Sequence, residues 1–85
     1  MNTKYKSPFV FEVFDTRNTS TEREIPIVGK SVRSAREAAR RLSIKYHKVI
    51  VYLGSYQSHD WEQYEKGEKT EWSYPDGLPV SNLTY

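Results

Sequence analysis

One helical stripe sits between stretches of strand-like alternation, and it decides most of what these 85 residues can build. Val32, Ala35, Ala39, Leu42 and Tyr46 recur at spacings of 3, 4, 3 and 4. At about 100° per residue these positions fill one side of a helix. Ala35, Ala38 and Ala39 are small enough to let the helix backbone lie close to a sheet. Arg33, Arg36 and Arg40 fall on the opposite side, with Arg41 beside them and Lys45 and Lys48 beyond. Ser31 or Ser34 supplies the N-cap, and Glu37 completes a capping-box spacing from Ser34. Ile44 lands on the basic side, so the helix is expected to end or distort between Leu42 and Ile44.

The rest of the chain reads as strands. Phe9 to Phe14 alternates, with Phe9, Phe11 and Val13 facing one way and Val10, Glu12 and Phe14 the other. Thr16 to Glu22 reads as a polar loop, and Glu24 to Val28 as a second strand. Pro26 cannot donate to a ladder, which places that strand at a sheet edge or turns Pro26 away from its partner. Lys48 to Leu53 is β-branched and nearly continuous in apolar character, as a central strand is. Ser55 to Asp60 reads as a connector. Trp61 to Tyr64 and Thr70 to Tyr74 flank a Gly67-containing turn and form a hairpin in which Trp61 and Trp72 are expected to pack across the strands. The expected fold is α+β: one helix packed on a small antiparallel sheet, in the order β-β-α-β-β-β.

A chain of this length makes one domain, residues 1–85, with residues 76–85 as an irregular tail. It has no cysteine, so disulfides and cysteine-based zinc sites are excluded, and its 12 aromatic residues must supply much of the core. The longest apolar run, Val49 to Leu53, is far too short to span a membrane. With no signal-like segment after Met1, a cytoplasmic protein of a host cell is expected.

Little in the sequence points to catalysis. His47 and His59 lack the spacing of a ligand pair, and no phosphate-binding loop or nucleophile elbow is present. The expectation is a protein without catalytic, metal or cofactor site. Charge is more informative. Residues 30–48 hold seven basic groups against Glu37 alone, net +6, while residues 60–76 hold six acidic and two basic groups, net −4. Residues 1–29 balance at four of each. Such asymmetry points to partners. The candidate partner-binding residues are Arg33, Arg36, Arg40, Arg41, Lys45 and Lys48 on the basic segment, and Glu62, Glu65 and Glu68 on the acidic hairpin.

Residues 34–53 also resemble a helix-turn-helix, with Ala39 at the small position and Leu42, Ile44, Val49 and Tyr52 at the apolar ones. Ile50 and Val51 would then occupy recognition-helix positions that should be polar. The alternative it offers is a small DNA-binding regulator.

Over residues 9–74 the element order is similar to that of small phage anti-CRISPR proteins, nearest those that inhibit the type I-F surveillance complex. The matching features are Ser20-Thr-Glu-Arg-Glu24 before the second strand and Ser34, Ala35 and Arg36 at the helix start. His47 ahead of the apolar strand and the hairpin residues Trp61, Tyr64, Gly67 and Lys69 complete the match. The resemblance implies a non-enzymatic inhibitor that binds a CRISPR-Cas effector complex on its basic, DNA-facing surface and blocks target DNA. It further implies some non-specific DNA binding through the helix, where Arg36 and Arg41 match the family's cations. Glu37 stands where the family has another cation, and the acidic hairpin is the alternative contact surface. An interaction module for some other protein partner is a third reading.

Overall fold

The computed structural model describes residues 4–28, 31–53 and 60–74. Its elements run β1 (Lys4–Phe14), β2 (Ser20–Val28), α1 (Val32–Lys45), β3 (Lys48–Tyr52), β4 (Trp61–Glu65) and β5 (Glu68–Ser73). The strands form one antiparallel sheet in the order β2-β1-β3-β4-β5, and α1 lies across one face. This is the expected α+β architecture. The connector expected over 55–59 and the tail from 76 lie outside the described residues.

The alternation of each strand decides what the helix covers. Phe9, Phe11 and Val13 of β1 and Val49 and Val51 of β3 turn towards α1, together with Ile27, Leu53 and Tyr64. They meet Val32, Ala35, Ala38 and Ala39, the stripe read from the helix spacing. The alanines bring α1 down on the sheet, closest to β3. Ser31 is the N-cap: its Oγ accepts from the Ser34 N–H at 3.1 Å. The helix runs one residue past Ile44 and ends at Lys45. There the Tyr46 N–H still reaches the Leu42 carbonyl at 2.8 Å, and the His47 N–H donates to the Phe14 carbonyl at 2.9 Å.

Pro26 lies in β2, an edge strand, so its missing donor breaks no ladder on the outer side. Both N-terminal strands are longer than their sequence pattern predicts. β1 begins at Lys4 and passes a bulge between Lys6 and Val10, which contains Pro8. β2 begins at Ser20, because the turn closes within residues 15–19. Asp15 organises that turn by accepting the Arg17 and Thr19 N–H groups at 2.9 and 3.0 Å, with Asn18 in the left-handed region.

Two expectations are corrected. Residues 48–52 are an extended strand paired on both sides, so the helix-turn-helix reading fails: its recognition helix is the central strand. Val49, Ile50 and Val51, being β-branched, favour this outcome. Nor do the tryptophans face each other. Lys66 (φ 53°) and Gly67 (φ 84°) form a two-residue primed turn, which alone would set Trp61 opposite Trp72. β5 carries one extra residue, Thr70, at an irregularity beside Gln63 and Tyr64. The pairing slips by one, so Trp61 opposes Ser73 and Trp72 opposes Glu62.

Candidate functional site

No described element covers the second face of the sheet. Register places its residues in rows across the strands. Glu24, Val10, Tyr52, Trp61 and Ser73 form one row, and Glu22, Glu12, Ile50, Gln63 and Glu71 the next. Beyond it, Phe14 pairs with Lys48 and Glu65 with Glu68. The middle of this face is a strip of half-buried apolar and aromatic side chains: Val10, Phe14, Ile50, Tyr52 and Trp61. Carboxylates rim it on both flanks, Glu12, Glu22 and Glu24 on the β1–β2 side and Glu65, Glu68 and Glu71 on the β4–β5 side.

Lys48 is the one cation in these rows, and it is drawn onto the strip, its Nζ 4.3 Å from the Phe14 ring centre. The Tyr52 hydroxyl donates to Glu12 Oε1 at 2.8 Å. Gln63 Nε2 donates at 3.0 Å to both Glu65 Oε2 and Thr70 Oγ1. These bonds hold part of the acidic rim in fixed directions. Two open clefts flank the strip, one lined by Val10, Glu22, Arg23 and Glu24, the other by Trp61, Thr70, Glu71 and Trp72.

The helix side has the opposite sign. Arg33, Arg40, Arg41 and Lys45 are exposed on α1. Arg33 Nε lies 3.7 Å from Glu37 Oε1, Arg40 sits over the Tyr64 ring at 5.4 Å, and Lys45 Nζ over Tyr46 at 5.6 Å. Arg23 of β2 also turns to this side, 5.6 Å from the Tyr46 ring.

Two sequence candidates are not at a docking surface at all. Glu62, 0% exposed, lies beneath α1 and receives Arg36, whose side chain is only 15% exposed. Arg36 Nε donates to Oε1 and Oε2 at 2.9 and 3.0 Å, and Nη2 to Oε2 at 2.7 Å. The Tyr64 hydroxyl donates to Oε1 at 2.7 Å and the Tyr74 hydroxyl to Oε2. Lys69 Nζ stands 3.7 Å from the same Oε2. Burial pushes the Glu62 carboxyl upward, but the hydrogen bonds from Arg36, Tyr74 and Tyr64 outweigh it and hold the group below the usual carboxylate range. Burial, followed by the Glu62 carboxylate itself, pushes both tyrosine hydroxyls well above their ordinary value. This satisfied ion pair fastens α1 to β4 and β5, and its acid is closed to any partner.

The structure therefore regroups the sequence candidates. Glu65 and Glu68 share the open face with Lys48, whereas Glu62 is turned inward by strand alternation. Arg33, Arg40, Arg41 and Lys45 stay together on the helix. Glu12, Glu22 and Glu24 are hidden in a charge count along the chain because residues 1–29 sum to zero, whereas Glu71 belongs to the acidic hairpin segment. Taking every second residue would have found them: Glu22 and Glu24 alternate with Arg23, and Glu12 alternates with Phe11 and Val13. Among the described residues no three of His, Asp and Glu converge as a metal site requires, and no helix is long and apolar enough to cross a membrane. Comparison of the chain with protein-family models, curated proteins and solved structures gave no match.

Proposed function

We propose that the protein is a non-enzymatic inhibitor that lays the open face of its sheet on a cationic, DNA-holding surface of a CRISPR-Cas effector complex and so keeps target DNA out. The observation that carries this reading is the sorting of charge by sheet face among the described side chains: six carboxylates and one lysine surround an aromatic strip, and Arg23, Arg33, Arg40, Arg41 and Lys45 lie on the other side. A flat strip of half-buried aromatic and branched residues inside a charged rim has the anatomy of a protein-docking patch. A surface built to grip phosphates offers lysines and arginines, which such a rim complements. The choice of a CRISPR effector comes from the resemblance in residues 9–74; the choice of face comes from the charge.

The test is target-DNA binding by a purified type I effector with increasing amounts of the protein. DNA binding should fall with dose, and the effect should weaken as salt rises, because rim charges act through screened attraction. A Glu22→Gln/Glu24→Gln/Glu65→Gln/Glu68→Gln variant should inhibit poorly, while Arg40→Gln/Arg41→Gln should inhibit like the parent. Full DNA affinity in the presence of excess protein would sink the proposal for that effector.

A further inference from the structure

We propose that the cleft lined by Trp61, Thr70, Glu71 and Trp72 is a receptor for an arginine side chain. The proposal rests on the reading that the open face docks on a cationic protein, and it names the group that is gripped. The cleft, of about 400 Å³, is open to solvent at the free edge of the sheet. It owes its shape to the extra residue in β5. Thr70 moves Trp72 one place along, opposite Glu62 and so towards the helix side, while Trp61 and Glu71 stay on the open face; the two indoles no longer pack on each other, and the cleft is bounded by Trp61, Thr70 and Glu71 with Trp72 at the sheet edge. Trp72 is left 55% exposed, an unusual state for so large an apolar side chain.

The electrostatics of the cleft favour a cation. Glu71 is exposed and makes no ion pair or hydrogen bond among the described residues. Glu65 and Glu68 stand on the same face. The nearest cation, Lys69, is directed to the other side, 3.7 Å from Glu62 Oε2. On that side its Nζ also lies 5.3 Å from the Trp72 ring centre, so the open-face plane left for a cation is that of Trp61.

The surface combines an indole plane with a carboxylate on one side of the sheet. A guanidinium suits it better than an ammonium does. It is planar, weakly hydrated, and can lie on an indole while donating two parallel hydrogen bonds to a carboxylate. An ammonium keeps its water and offers no plane to stack.

The chain has two tryptophans, so its nitrogen–proton correlation spectrum holds two indole signals, each a direct reporter of the cleft. Titration with a capped tetra-arginine peptide should shift both signals to saturation. A tetra-lysine peptide of equal charge should bind about five- to tenfold more weakly, the difference expected of stacking plus a paired hydrogen bond. Glu71→Gln should remove most of that preference, with the remaining backbone signals unmoved as proof of folding. Equal response to the two peptides, indole signals that stay still, or an unchanged preference in Glu71→Gln would each overturn the proposal. Inhibition of an effector is read separately. If it is absent while the indoles select arginine, the proposed function falls and the cleft stands. If Trp61→Ala and Glu71→Gln inhibit like the parent, the cleft falls and the function stands.

Discussion

Arg36 Nη2 lies 2.7 Å from Glu62 Oε2, and this pair joins the helix to the far half of the sheet from beneath. Two charges have been taken out of water there, and the tyrosines Tyr64 and Tyr74 complete the hydrogen bonding of the acid. Removing one partner leaves a charge buried alone. Arg36→Met is expected to cost about 3–5 kcal/mol, and Glu62→Leu a similar amount. The double variant should recover part of the loss, which gives a positive coupling in a urea-unfolding double-mutant cycle. Additive losses would show that the two residues act independently.

Protonation of the same cluster limits stability from both ends of the pH scale. The folded Glu62 carboxyl titrates below its ordinary value of 4.5, so its contribution is present above that pH and is lost as pH falls through the folded value. Tyr64 and Tyr74 titrate above their ordinary value of 10.0, so their contribution is present below it and is lost as pH rises through the folded values. Stability measured in urea should therefore plateau between about pH 5 and 9.5. Glu62→Gln should flatten the acid limb. Tyrosinate absorbance of the folded protein should show two of the seven tyrosines failing to ionise near pH 10.

The end of α1 is bonded to the hairpin turn through Ser43, which is buried. Its Oγ donates to the Arg40 carbonyl and accepts the Gly67 N–H, both at 2.8 Å, while its carbonyl accepts the Lys66 N–H at 3.2 Å. Ser43→Ala strands the Gly67 donor and should cost about 1–3 kcal/mol. Gly67→Ala forces a side chain into a positive-φ position, with its Cβ 3.4 Å from Ile44 Cδ1, and should cost about 1–2 kcal/mol. Lys66→Asn suits the primed turn better and should gain about 0.5–1 kcal/mol. Thermal unfolding ranks the three.

Rim charges on the open face should set how fast a cationic partner is found. Glu22→Lys/Glu24→Lys is expected to slow association about tenfold or more at low salt. Stopped-flow association over a salt series checks this. The difference between variant and parent should shrink as screening rises, and a salt-independent difference would point to altered packing instead.

Backbone architecture was legible because periodicity is local. The helical stripe, the β-branched run at Val49 to Val51 and the edge placement of Pro26 each follow from a few neighbouring residues. What depends on register was not legible. Trp61 and Trp72 are separated by a single extra residue, and no propensity announces that Thr70 is it. Nothing local marks Ser43, whose hydroxyl serves a turn 24 residues away. Glu62 read as one of three equivalent hairpin acids. Strand parity turns it under the helix, and only the arrival of Arg36 makes burial tolerable. The acidic face was half visible: parity of the glutamates was written in the chain, but that β1, β2, β4 and β5 share one sheet was needed to add them together.

Among the described side chains, a helix layer of one sign and a sheet face of the other make a dipole directed along the sheet normal. A charged wall within a Debye length, about 8 Å at physiological salt, therefore exerts a torque on it before any atoms touch. A cationic wall turns the sheet inward and the arginines of α1 outward; an anionic wall does the reverse. Orientation is thus selected in solution, during approach, and the aromatic strip has only to retain a pose that the field has already chosen.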